Sequence, residues 1–153
     1  MQLTKTWTAD QYVGGLESWQ WLDLGNKTPV FTSLFGDVFF EAVDGCWFLD
    51  SLEGSLSRAW DDREALEAAL LTDEAQDRYL LAGLAHAANE RGIALGSDQV
   101  YDFTPPPILG GERVVENISA MDFVVSLNIA GQMHDQVRRL PPGTRITGVT
   151  FSD

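Results

Sequence analysis

The side chains that could do chemistry are few and scattered. His86 and His134 are the only histidines in 153 residues. His86 has Glu90 four residues on, a spacing that would put an imidazole and a carboxylate on one helix face as paired metal ligands. Two ligands do not hold a metal without a third, so His86 reads as a solvated or core-edge histidine. His134 precedes Asp135, but neighbours in sequence do not form a general-base dyad unless tertiary geometry aligns them. Cys46 is the single cysteine. It opens the aromatic run Cys46-Trp47-Phe48, where a thiol reads as a small hydrophobe. Gly110-Gly111 has neither the GxGxxG nor the Gly-Lys-Ser/Thr of a phosphate loop and reads as a turn. Asp44, Asp50 and Glu53 are too loosely spaced for a calcium loop. Asn117-Ile118-Ser119 matches a glycosylation sequon, which has no meaning in an unsecreted chain. These residues predict no catalytic set, no cofactor and no metal. A hydrolase would need His134, Asp135 and Glu116 to converge.

A different chemistry, that of contact, is better represented. Trp60-Asp61-Asp62 sits at an expected strand-to-helix junction, and Trp47 and Phe39-Phe40 lie on neighbouring strands. Glu41, Trp60, Asp61, Asp62, Glu112 and Glu116 are the candidates for partner binding: an acidic rim around exposed aromatic anchors. Aromatics ringed by polar groups are typical of interface hot spots. The opposing reading makes the aromatics core and the acids solvated turn residues.

The elements that must position these groups follow from periodicity and punctuation. Thr8 and Gln11 have capping-box spacing and open a helical segment reaching Leu22, which its large apolar side chains should pack onto the rest. Val30 to Trp60 reads as an antiparallel meander of three or four strands. Asp44-Gly45 is its clearest hairpin, with a second turn at Glu53-Gly54. Asp61 with Glu64 predicts a helix to about Leu71. Asp73 with Gln76 predicts a longer one from Glu74 to Arg91, closed by Gly92. Val100 to Phe103 is a candidate strand, and Pro105-Pro106-Pro107 a rigid connection. Phe123, Val125, Leu127 and Ile129 alternate with Val124, Ser126, Asn128 and Ala130, which predicts a core strand. Arg145 to Phe151 predicts a second, with Gln132 to Leu140 between them as a short helix or loop. Strands, then helices, then strands predict α+β: a mainly antiparallel twisted sheet with helices largely on one face.

Composition narrows the partners. The chain length fits one domain, residues 1–153. Net charge is −13, from 23 acidic and 10 basic residues. That argues against nucleic acid and anionic membranes, which need clustered Lys and Arg, and suits a basic protein partner. No apolar run approaches the roughly 20 residues of a membrane span. The N-terminus shows no signal peptide, and a lone cysteine fits a reducing cytoplasm.

Three blocks carry a family resemblance. The first is Phe35-Gly36-Asp37-Val38-Phe39-Phe40, then Asp44-Gly45, then Phe48 to Gly54. The second is Pro106-Pro107-Ile108-Leu109-Gly110-Gly111-Glu112, then Glu116-Asn117. The third is Gly131-Gln132-Met133-His134-Asp135-Gln136, then Leu140-Pro141-Pro142-Gly143-Thr144. In this order they resemble the C-terminal domain of type VI secretion DNase-immunity proteins, a family long described as a domain of unknown function. The resemblance covers about Thr28 to Phe151. Members often carry a GAD-like domain upstream; here residues 1–27 precede the match, so that domain is expected to be absent or abbreviated. The resemblance implies a cytoplasmic protein that binds and neutralises a nuclease toxin, and it implies no catalytic residues. The sequence therefore predicts an immunity protein rather than an enzyme. The alternative is a small-ligand-binding or regulatory domain without a toxin partner. Oligomeric state is not legible.

Overall fold

A computed structural model describes residues 1–144, 146, 148 and 150–152. The Val30–Trp60 region is a meander, as expected. Strands β2 (Thr28–Ser33), β3 (Val38–Ala42), β4 (Gly45–Asp50) and β5 (Ser55–Trp60) pair antiparallel in sequence order. A two-residue strand, β1 (Thr4–Lys5), extends the β2 edge. Asp44-Gly45 makes the β3–β4 hairpin, with Gly45 at φ +137°, and Gly54 turns β4 into β5 at φ +71°. Both backbone conformations favour glycine because a Cβ would crowd the chain.

Period-two alternation sends neighbouring side chains to opposite faces of this sheet. Val38, Phe40 and Leu49 go to one core, and Phe39, Cys46 and Phe48 to another. The first is completed by α1 (Ala9–Leu16), a 3-10 turn at Glu17–Trp19, and α5 (Phe123–Arg138). The second is closed by α2 (Arg63–Ala69) and α3 (Asp73–Leu80), through Leu66 and Leu80. A third cluster joins α4 (Ala82–Glu90) to a two-stranded antiparallel sheet of β6 (Gln99–Phe103) and β7 (Ile118–Asp122). The class is α+β with antiparallel sheets, and helices meet both faces of the larger one.

The region around α5 departs from expectation. Phe123 to Ala130 is helix, not strand, and Gln132 to Arg138 continues the same helix. Asp122 caps it, its carboxylate accepting from Val125 N at 3.0 Å. The buried positions Phe123, Leu127, Gly131 and His134 are spaced four, four and three apart, a helical stripe. Val125, which a buried strand face would have hidden, is 48% exposed. The expected strand over Arg145–Phe151 lies partly outside the described residues. Those described there, Ile146, Gly148, Thr150 and Phe151, carry no strand.

Two smaller differences concern helix ends. The caps are Asp62 and Thr72 rather than Asp61 and Asp73, accepting from Ala65 N and Ala75 N. The expected single helix from Glu74 to Arg91 is two, broken at Leu81, whose φ of 50° is left-handed. That conformation costs a non-glycine residue roughly 1–2 kcal/mol. The break lets α3 feed Leu80 to one core while α4 turns Ala85 and Ala88 into another. The Thr8 capping box is present as expected, with both reciprocal bonds made.

Candidate functional site

Three adjacent strands bring Glu41, Cys46 and Trp60 abreast, because Glu41 pairs with Cys46 and Cys46 with Trp60. Asp61 and Asp62 follow at once and lead into α2. Glu41, Asp61 and Asp62 are all exposed and form one acidic group at this end of the sheet. Between Asp61 and Asp77 the chain carries seven carboxylates against the single guanidinium of Arg63. Arg58 pairs with Asp61 at 3.0 Å and Arg63 with Glu67 at 3.1 Å, both in solvent. Exposed pairs contribute about 0–1 kcal/mol each, so the face keeps its acidic character.

Trp60 is not an exposed anchor. It is 9% exposed, packed on Phe39 and Tyr79, and Phe39 and Phe40 are buried outright. The alternating strand pattern that made these residues neighbours also turned them inward. Trp47 keeps partial exposure, its indole N–H donating to the Asp44 carboxylate at 2.9 Å beneath the Lys27 ammonium.

Glu112 and Glu116 stand apart from Glu41, Asp61 and Asp62. Glu116 pairs with Arg91 at 3.0 Å, and the Glu112 carbonyl accepts from Asn117. The next residue, Arg113, pairs with Glu53 in the β4–β5 turn. This second acidic group therefore lies toward the Glu53 end of β5, and the first toward its Trp60 end. Six strand residues rise roughly 20 Å, which is the scale of their separation.

The residues a hydrolase would need do not converge. Asp135 is bound by Arg138 and Arg139, Glu116 by Arg91, and His134 points inward. Cys46 is buried, and burial followed by the nearby Glu41 carboxylate pushes its thiol pKa up, away from reactivity. Among the described residues no group of three His, Cys, Asp or Glu side chains could hold a metal. No described helix is long and apolar enough to cross a membrane.

Sequence reasoning missed a buried polar junction. The Asp37 carboxylate, 3% exposed, accepts from Ser33 Oγ (2.9 Å), Ser51 N (2.8 Å) and Ser51 Oγ (2.7 Å). It ties the β2–β3 turn to the end of β4. Burial and then Asp50 push its pKa up to about 6, against those three hydrogen bonds. Ser51 O lies 2.9 Å from His134 Nε2 on α5. A carbonyl only accepts, so Nε2 carries the proton. The Ser-Asp-Ser spacing across two turns gave no local signal, since Ser51 is 14 residues from Asp37.

Burial holds the His134 pKa below its ordinary 6.5, despite the Ser51 carbonyl and the Asp50 and Glu53 carboxylates. Below that pH the unfolded chain takes up a proton that the folded one refuses, so His134 subtracts stability as pH falls. Gln can donate to the same carbonyl without titrating. H134Q is expected to gain stability relative to the parent on going from pH 7 to pH 5, in urea denaturation at each pH. An unchanged difference would contradict this.

Residues 61–134 match the model of a family described as T6SS (type VI secretion system) immunity protein Tdi1, C-terminal. No curated protein sequence matches the chain. Among solved structures it is similar to that of Atu4351 from Agrobacterium tumefaciens, with 17% identity and a TM-score of 0.58. The likeness covers 85% of this chain but 66% of that one, and it speaks to fold alone. The family match takes in the Pro106–Asn117 block and the start of the Gly131–Thr144 block; the Phe35–Gly54 block lies before it. Over α2 to α5, then, the chain is similar to the C-terminal domain of type VI secretion immunity proteins, the family that its sequence blocks resemble.

Proposed function

We propose that this chain is an immunity protein that binds a cognate type VI secretion nuclease toxin and neutralises it by contact, without catalysis. The observation that carries the reading is the immunity-domain match over residues 61–134. The acidic surface made by Glu41, the Asp61-Asp62 turn, α2 and α3 supports it. A nuclease presents a basic surface to its polyanionic substrate, and an acidic protein is steered to that surface. Glu41, Asp61 and Asp62 are the contacts we assign first, with Glu112 and Glu116 as a second group and Trp60 as the buried support between strand and helix. The work would be done in the cytoplasm, where a nuclease finds its substrate.

The test is co-expression with the product of any nuclease-toxin gene found adjacent to its own, reading cell survival and complex formation. Survival with a stoichiometric complex is expected; neither protection nor a complex at low salt would end the proposal. A second measurement addresses the acidic group. E41K/D61K reverses two exposed charges and leaves the Asp62 cap in place. The association rate constant should fall about tenfold or more at low ionic strength, with a smaller difference in high salt. A rate unmoved by the reversal, or insensitive to salt, would remove these residues from the interface.

A small-ligand reading has two cavities in its favour. One of about 280 Å³ lies beneath α5, lined by Phe35, Tyr101, Phe103 and Met133, with the Asp102 carboxylate at its wall. A more open one of about 640 Å³ is lined by Trp7, Tyr12, Leu16 and Phe40, within the roughly 300–1,000 Å³ usual for ligand pockets.

A further inference from the structure

The larger sheet has two edges, and they are treated differently. At one end β1 is only two residues long, and its Lys5 ammonium is spent on the Gly96 and Gln99 carbonyls at 2.9 and 2.8 Å. At the other end β5 is six residues long and is paired only on its β4 side. In an antiparallel strand alternate residues turn their N–H and C=O outward. Among the described residues no other element meets those outward groups of Ser55–Trp60. Ser55, Ser57, Arg58 and Ala59 are exposed.

Natural sheets guard an open edge with proline, lysine, a bulge that twists it away, or a covering loop. β5 holds no proline and no lysine. Its one cation, Arg58, folds back, donating to the Asp44 carbonyl at 2.6 Å and pairing with Asp61. β5 does carry a bulge, with Ala59 as the extra residue opposite the Cys46–Trp47 step, but it is confined to the Trp60 end and leaves Ser55–Arg58 in regular register. Over Ser55–Arg58 the edge is thus regular and uncovered, which permits close approach of another backbone.

The charges at its ends say what approaches. Asp62 and Asp61, the latter paired with Arg58, stand at one end, and Glu53, paired with Arg113, at the other, on a chain of net charge −13; both pairs are solvent-exposed and leave the acidic field largely in place. A second copy of this chain would bring like charges together at both ends, which costs affinity. A basic extended segment would instead meet opposite charge at both ends and complete the ladder between them.

We infer that β5 is a docking edge for an extended, lysine- or arginine-bearing segment of another protein, which adds to the sheet as a sixth strand. Main-chain hydrogen bonds supply affinity in this mode, and flanking side chains supply selectivity. The inference rests on the reading of this chain as a toxin-binding protein and names the surface used.

The experiment uses the full chain and a synthetic eight-residue peptide of alternating lysine and valine, at low salt. Controls are the same peptide with glutamate for lysine, and with alternate amides N-methylated. The lysine peptide is expected to bind and to slow amide hydrogen exchange within residues 55–60. N-methylation, which removes ladder donors, should weaken it at least tenfold, and S57K should do the same while leaving the thermal midpoint near that of the parent. Binding that spares the exchange of residues 55–60, or that survives N-methylation, would overturn the inference. So would concentration-dependent self-association that protects the same amides, since the edge would then belong to a second copy. Toxin protection that persists in S57K while peptide binding fails would sink the edge and leave the immunity reading standing. Peptide binding at β5 with no protection from any toxin would do the reverse.

Discussion

Replacing Trp19 with alanine is expected to cost about 3–5 kcal/mol, the range for deleting a fully buried large aromatic. Trp19 is completely enclosed, and its indole N–H donates to the Leu127 carbonyl on α5 at 2.8 Å. Beside it Ser18 Oγ donates to the Asn128 carbonyl at 2.7 Å. These two bonds and the ring fasten the 3-10 turn to the middle of α5. For a domain of this size the loss corresponds to a fall of roughly 10 °C or more in thermal midpoint. Calorimetry checks it, and a fall of only a degree or two would show that the turn is not part of the cooperative core. Gly131 gives an independent reading of the same contact. Alanine in place of glycine within a helix ordinarily gains up to about 1 kcal/mol. At Gly131 a Cβ would lie 2.1 Å from Ser18 Oγ and 2.8 Å from Trp19 Nε1. G131A is therefore expected to destabilise, by about 1–3 kcal/mol, as overpacked sites do.

The second large effect is at Asp37. D37A removes the acceptor of three hydrogen bonds and leaves the buried Ser51 N–H without a partner. Each orphaned buried group costs about 1–3 kcal/mol, and bonds to a charged acceptor are the stronger kind. Against this stands relief from burying a carboxylate, which the raised pKa shows to be unfavourable near neutrality. The lost network outweighs the relief, and a net loss of about 2–3 kcal/mol is expected at pH 7. D37N separates the two contributions. Its amide oxygen can still accept from Ser51, and it carries no charge.

The pH dependence of Asp37 has a definite sign. Its pKa is about 6 in the folded chain against 3.8 for a free side chain. Between those values the folded chain holds a proton that the unfolded chain has released. Stability from this group is greatest below 3.8 and falls as pH rises through 6, by on the order of 3 kcal/mol in all. D37N should lose that slope and stay within about 1 kcal/mol of the parent at pH 7. Urea denaturation at pH 4, 5, 6 and 7 decides it: a slope shared by D37N and the parent would exclude Asp37 as its origin.

What could be read from the chain depended on how locally it was encoded. The β2–β5 meander was legible because Asp44-Gly45 and Glu53-Gly54 fix hairpins over a few residues. The Thr8 box was legible for the same reason. Helix α5 was not, because Phe123, Val125, Leu127 and Ile129 satisfy period two while Phe123, Leu127, Gly131 and His134 satisfy the helical period. Only tertiary packing chooses between them, and here α1 and the Glu17–Trp19 turn supply a partner for the helical stripe. The break at Leu81 had no glycine or proline at that position to announce it; it follows from two cores claiming successive turns. Of the candidate site, sequence order gave the acidic residues. It could not show that the long rise of β5 parts them, nor that Trp60 faces inward.

Helix α5 follows every described strand in the order of synthesis, yet it covers Tyr12, Trp19 and the sheet face laid down long before it. A nascent chain that has emerged only as far as β7 exposes those aromatic surfaces with nothing to shield them. Closure of this interior therefore waits on α5, and a ribosome stalled before it would present the quality-control machinery with an open, adhesive intermediate.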